Sequence, residues 1–116
     1  MMMIGRWWPA LATLAVAAAA MLAHAESTPT RQDCVAAWNS STASDSCGQL
    51  IIASGRHEVD PSNFNVAVQN DQCSVDVHCR LSAFNSSDAP ISNTFVGSVG
   101  EVAQLKNCSG YLKKSC

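Results

Sequence analysis

Six cysteines carry most of the chemistry open to this chain. Two of them, Cys73 and Cys79, bound the segment CSVDVHC, with His78 beside the second. Residues of these types could ligate a metal, form a redox pair, or serve as halves of separate disulfides. The segment alternates, which puts Cys73, Val75, Val77 and Cys79 on one face of a strand and Ser74, Asp76 and His78 on the other. Six residues of strand span roughly 20 Å at about 3.3 Å per residue, whereas a disulfide holds its Cα atoms within about 7 Å. Cys73 and Cys79 therefore cannot bond each other or share one tetrahedral metal ion. No C-x-x-C pair is present, and no short-spaced ligand pairs, so neither dithiol redox chemistry nor a zinc site is expected. The spacing points to structural disulfides, and we expect no metal and no cofactor.

The context that would oxidise them is written at the start of the chain. A short segment carrying Arg6 precedes an apolar, alanine-rich run from Trp7 to Ala23, and Ala23-His24-Ala25 is a small-x-small cleavage site. This reads as residues 1–25 forming a bacterial-type signal peptide cut after Ala25. The run is short and alanine-rich for a stable membrane span, polar sequence follows at once, and no second hydrophobic segment occurs. No cysteine directly follows the cleavage site to take a lipid; Cys34 lies too far downstream. The expectation is an exported chain, periplasmic or secreted, with no membrane span after cleavage. Six cysteines in so short an exported domain imply a disulfide framework, because the core alone is marginal at this size. Beyond the leader, six basic side chains face nine acidic ones, a formal charge of −3. That balance disfavours nucleic acid and anionic membranes as partners.

The elements that must place the cysteines follow from local pattern. Residues 26–33, ESTPTRQD, are polar and aperiodic and read as a flexible tail, leaving 34–116 as one domain. Asp33 is a candidate cap for a helical turn through Val35, Ala36, Ala37 and Trp38, and the serine-rich NSSTASDS after it reads as loop. QLIIA, residues 49–53, suits a buried strand, and RHEVDPSN reads as a polar connection with Asp60-Pro61 as its turn. FNVAVQ alternates through Phe64, Val66 and Val68. With Asn70-Asp71 as the turn, it forms a central hairpin with the cysteine strand, whose pattern continues to Leu81 and Ala83. NTFVGS is a further strand. Ser98-x-x-Glu101 is a capping box opening a short helix through Val99, Val102, Ala103 and Leu105, with Gly110 at the stop. YLKKSC closes the chain as a last strand. The fold class predicted is mainly β, small α+β: a disulfide-stapled antiparallel sheet with one or two short helices.

Six cysteines permit fifteen connectivities, and sequence alone selects none. If the C-terminal segment paired antiparallel with the cysteine strand, Cys79 would meet Cys108 and Cys73 would meet Cys116. Cys34 would then close a loop with Cys47.

Catalytic constellations are sparse. After leader removal only His57 and His78 remain, no nucleophile-elbow motif occurs and no cysteine is spare, so we expect a non-enzyme. The densest polar cluster is Arg56, His57, Glu58 and Asp60, expected on an exposed loop and the candidate for ligand binding.

LKNCSGYL, through Leu105, Asn107, Ser109, Gly110 and Leu112, resembles the pattern ending each repeat of cyanovirin-N-type lectins. Trp38, Ser41 and Cys47 resemble the stretch leading into that repeat, and Cys79 resembles its second half-cystine. One such stretch is present here, where that family has two tandem repeats. The resemblance implies carbohydrate binding, with Asn107 and Gly110 as turn-formers. Polar loop side chains would suit sugar hydroxyls. The alternative expectation is a proteinaceous inhibitor or immunity factor, in which a rigid scaffold presents one loop to a partner enzyme.

Overall fold

The computed structural model describes residues 28–81 and 89–116. They form α1 (Arg31–Ser40), a 3-10 turn (Thr42–Asp45), β1 (Cys47–Ala53), β2 (Arg56–Asp60), β3 (Asn65–Gln69) and β4 (Gln72–Cys79). After these come β5 (Ile91–Gly97), α2 (Val99–Ala103), β6 (Lys106–Cys108) and β7 (Tyr111–Lys113). The predicted signal peptide, the first two residues of the predicted tail, and Ala83 lie outside the described residues.

Alternation in β4 gives the sheet its two faces. Cys73, Val75, Val77 and Cys79 are buried, and Ser74, Asp76 and His78 are not. β5 runs antiparallel along one whole edge of β4, from Cys73 opposite Gly97 to Cys79 opposite Ile91. The other edge is shared. β3 pairs with the first half, Gln72 to Asp76, and only Cys47 and Gly48 of β1 reach the second, opposite Cys79 and His78. The β3–β4 hairpin turns at Asn70 and Asp71, both at positive φ (52° and 64°). Two left-handed residues are what a type I′ turn needs, and Asn and Asp tolerate that region best among residues with side chains.

Helix α1 begins one turn earlier than the sequence reading, which shortens the tail. Thr30 is the cap: its hydroxyl accepts the Asp33 N–H at 3.1 Å, and the Asp33 carboxylate accepts the Thr30 N–H at 2.9 Å. Asp33 is thus the third residue of a capping box, and the Thr30 N–H holds its carboxyl below the usual range. Cys34, Ala37 and Trp38 form the buried stripe of α1, which packs on β3, β4 and α2. With Val66, Val75, Val77, Val102 and Leu105 they make the core. The Ser98–Glu101 capping box opens α2 as predicted. Gly110 does not end that helix; it turns β6 into β7 with Ser109, at φ 97° and 54°.

The cystines correct the proposed connectivity. The bonds are Cys34–Cys73, Cys47–Cys79 and Cys108–Cys116, in place of Cys34–Cys47, Cys73–Cys116 and Cys79–Cys108. The reason is which segments flank β4. Both of its edges are taken by β1, β3 and β5, so the C-terminal segment cannot pair there. It folds on itself as the β6–β7 hairpin, with Cys108 and Cys116 only 8 residues apart. The inward Cys73 is met by Cys34 on the helix covering that face. Cys79 is met by Cys47, its directly opposed neighbour, with Cα atoms 4.1 Å apart.

Candidate functional site

After Gly48, β1 leaves β4 and pairs with β2 alone, so the hairpin 49–60 is an arm growing from the sheet. Its neck is tightly built. Cys47–Cys79 fixes one side, and a Cβ at Gly48 would collide with the backbone oxygens of Asp60 and Asn63. Only glycine admits that close approach. The Gln49 N–H donates to Asn63 O at 2.8 Å, the Asn63 N–H to Asp60 O at 3.1 Å, and the Arg80 guanidinium to Val59 O at 3.3 Å. Ser54 and Gly55, both at positive φ, turn the tip.

This arm overturns two expectations. QLIIA is not a buried strand: Leu50, Ile51 and Ile52 are 36%, 38% and 71% exposed, because past Gly48 the strand pairs with β2 and no longer with β4, although Val59 opposite Leu50 stays buried. Nor do Arg56, His57, Glu58 and Asp60 form a loop; they are the strand β2. The Ser-Gly dipeptide at 54–55 was the available signal, since two such residues between strand-like runs mark a hairpin.

The strand also separates the candidate quartet. Directly opposed residues share a face, and neighbours alternate. Arg56, Glu58 and Asp60 therefore lie on one face with Ala53, Ile51 and Gln49, while His57 lies on the other with Ile52, Val59 and Leu50. Asp60 is engaged in shaping the turn. Its carboxylate accepts the Ser62 hydroxyl at 2.6 Å and the Ser62 N–H at 3.1 Å, which hold it below the usual carboxylate range. The four side chains thus do not converge on one point. What the arm presents is a run of exposed aliphatic side chains, Leu50 and Ile52 on one face and Ile51 on the other, with Arg56 and Glu58 on the face of Ile51.

His78 is half-buried between Gly48 and Ser92 in the sheet. An open groove of about 800 Å³ lies between α1 and α2, lined by Ala36, Ala37, Val99, Gly100 and Ala103 with Asp33 and Asp71. Asp33 is already spent on the helix cap. Among the described residues no group of three His, Cys, Asp or Glu side chains could hold a metal ion. No helix among them is long and apolar enough to cross a membrane. Trp38 is fully buried, packed 6.4 Å from the Phe64 ring, which leaves Tyr111, 54% exposed, as an amphipathic ring at the surface. Three disulfides in so small a domain fit an exported protein.

No family model, curated protein or solved structure matches the chain.

Proposed function

We propose that this chain is an exported, non-catalytic binding protein that holds a protein partner through the β1–β2 arm. The observation that carries this reading is the exposure of three consecutive aliphatic residues, Leu50, Ile51 and Ile52, on a hairpin whose neck is locked by Cys47–Cys79. Apolar side chains clustered on a projection lose water only when something covers them, and such patches mark interaction surfaces. A locked neck lowers the ordering cost of binding, which suits an inhibitor or immunity factor. The charges of Arg56 and Glu58 on the face of Ile51 would set register and partner choice more than affinity.

Carbohydrate, the ligand class implied by the lectin resemblance, is the reading to test against it. Sugar rings stack on exposed aromatics, and Tyr111 lies on the β6–β7 hairpin rather than on the arm. The decisive experiment immobilises the cleaved, oxidised protein and its Ile52→Asp variant, passes envelope and extracellular proteins of the source over both, and measures melting temperature against a panel of simple sugars. The expected result is a protein retained by the wild type, bound at least about tenfold more weakly by Ile52→Asp. Stability should change by no more than about 0.5 kcal/mol, as for other surface substitutions. A retained set identical for both proteins, or a melting temperature raised by a sugar, would sink the arm reading.

A further inference from the structure

Two of the three cystines are sealed and the third is open. Cys34, Cys73, Cys47 and Cys79 are all 0% exposed, whereas Cys108 is half-buried and Cys116 exposed. The hairpin that carries Cys108 has a register with a chemical consequence. Lys106 is directly opposite Lys113, Asn107 opposite Leu112, and Cys108 opposite Tyr111. Opposed residues share a face, so Lys106, Cys108, Tyr111 and Lys113 stand together on one side of the ribbon and Asn107 and Leu112 on the other.

Two like charges placed opposite each other destabilise a hairpin. Lys106 and Lys113 are therefore not there to hold β6 to β7. Lys114, next in the chain, is instead paired with Glu101 at 2.8 Å. The inner side does the holding. The Asn107 side chain donates to Ser46 Oγ at 2.9 Å and to Arg80 O at 2.8 Å, and accepts the Gly110 N–H at 2.7 Å. Asn93 of β5 donates to Gly110 O at 2.8 Å and accepts the Leu112 N–H at 2.9 Å. These bonds fix the hairpin to the body whether or not the cystine is closed. An ammonium pair beside a cysteine sulfur favours the thiolate, and a sulfur that leaves more readily as thiolate makes its disulfide exchange faster.

We propose that Cys108–Cys116 is a thiol-exchange site, a reversible covalent attachment point for a thiol-bearing molecule. A thiolate attacks Sγ of the exposed residue Cys116 and forms a new S–S bond with it. The old S–S bond breaks, and its electron pair leaves on Cys108 Sγ as a thiolate on the face of the ribbon that carries Lys106 and Lys113. The thiol's proton goes to solvent, and the number of disulfides is unchanged. The reverse attack by Cys108 on Cys116 releases the thiol and recloses the hairpin. The proposal is independent of the arm reading, which rests on the exposure of Leu50, Ile51 and Ile52 and not on the C-terminal hairpin.

The test uses the folded, oxidised protein in native buffer with two thiols, glutathione and uncharged 2-mercaptoethanol, followed by alkylation and peptide mapping. The expected first product is a mixed disulfide on Cys116 with alkylated Cys108. It should form on the order of a hundredfold faster than opening of either sealed cystine, which requires the core to open. Circular dichroism should be unchanged at that stage. Lys106→Glu with Lys113→Glu should slow exchange with both thiols roughly threefold to tenfold, through a less stable leaving thiolate. Slowing with glutathione alone would mean that the lysines only attract an anionic reagent, and would overturn their assigned role. Opening of all three cystines together, attack first on a sealed one, or loss of structure with the first adduct would overturn the site itself. A Cys108→Ser, Cys116→Ser double variant that remains folded and forms no adduct completes the expected pattern.

Discussion

β4 and the β1–β2 arm are both antiparallel β-structure, and the chain treats them in opposite ways. In β4 every second residue is apolar and buried, and a cystine leaves each end, one to α1 and one to β1. In the arm three apolar residues follow one another, so that Leu50 and Ile52 face one side and Ile51 the other, and all three stay exposed although Val59 opposite Leu50 is buried. Alternation dedicates one face to the core and the other to water. A contiguous run that stays exposed leaves apolar side chains on both faces for contact outside the fold. The difference between them is therefore one between a surface already used for folding and a surface left over for contact.

The largest effects should come from the cystines, because they are what makes the body rigid. Chain-entropy arguments give about 4 kcal/mol each for Cys34–Cys73 and Cys47–Cys79, and about 2.5 kcal/mol for Cys108–Cys116. The ordering follows from sequence separations of 39, 32 and 8. Urea unfolding of the three paired-alanine variants checks it. If removing Cys108–Cys116 cost as much as either of the others, the C-terminal hairpin would have to be part of the body rather than an appendage held by Asn93 and Asn107.

A smaller break should occur at the neck. Gly48→Ala forces a Cβ against the carbonyl oxygens of Asp60 and Asn63, backbone atoms that cannot turn aside as a flexible side chain would. The expected cost is about 1 to 3 kcal/mol, with the Gln49–Asn63 hydrogen bond lost first. Hydrogen exchange would localise the damage. Faster exchange in residues 49–60 with β4 unchanged would show that the arm hinges at Gly48, whereas uniform acceleration would mean that arm and body unfold as one unit.

The smallest effect concerns acid. The Glu101 carboxylate accepts the Lys114 ammonium at 2.8 Å and the Ser98 N–H at 2.9 Å. Lys114 foremost, then the Ser98 N–H, lowers its pKa from 4.5 to about 2. A carboxyl whose pKa is lower in the folded state contributes fully above its ordinary value, and that contribution is lost as pH falls through the folded one. Stability should therefore decline between about pH 4.5 and about pH 2. The pair is exposed, so the decline should be shallow and weakened by salt. Lys114→Met should flatten it further; an unchanged slope would assign the acid sensitivity to Asp33 and Asp60 instead.

Much of the body was legible in the residues. Alternation through Cys73–Cys79, the Asn70-Asp71 turn and the Ser98–Glu101 box each depend on neighbours two to four positions away, and each took the form predicted. The arm's exposure was not legible. QLIIA is equally apolar whether covered or bare, and the polar residues after it suit a charged strand as well as a loop. The candidate quartet failed for the same reason, since contiguity in sequence brings side chains together on a loop but sends them to alternate faces of a strand.

By itself the sequence determined that Cys73–Cys79 extends, that the chain turns at Asn70-Asp71 and that Ser98 and Glu101 cap α2, because those preferences reside in the backbone dihedrals and hydrogen bonds of adjacent residues. It also determined, by distance along a strand, that Cys73 and Cys79 must seek different partners. Which partners they found, which strand was left uncovered, and which lysines came to share a face with Cys108 were decided only by tertiary structure. Each depends on the choice of neighbour for a sheet edge, and that choice is settled by competition among segments dozens of residues apart.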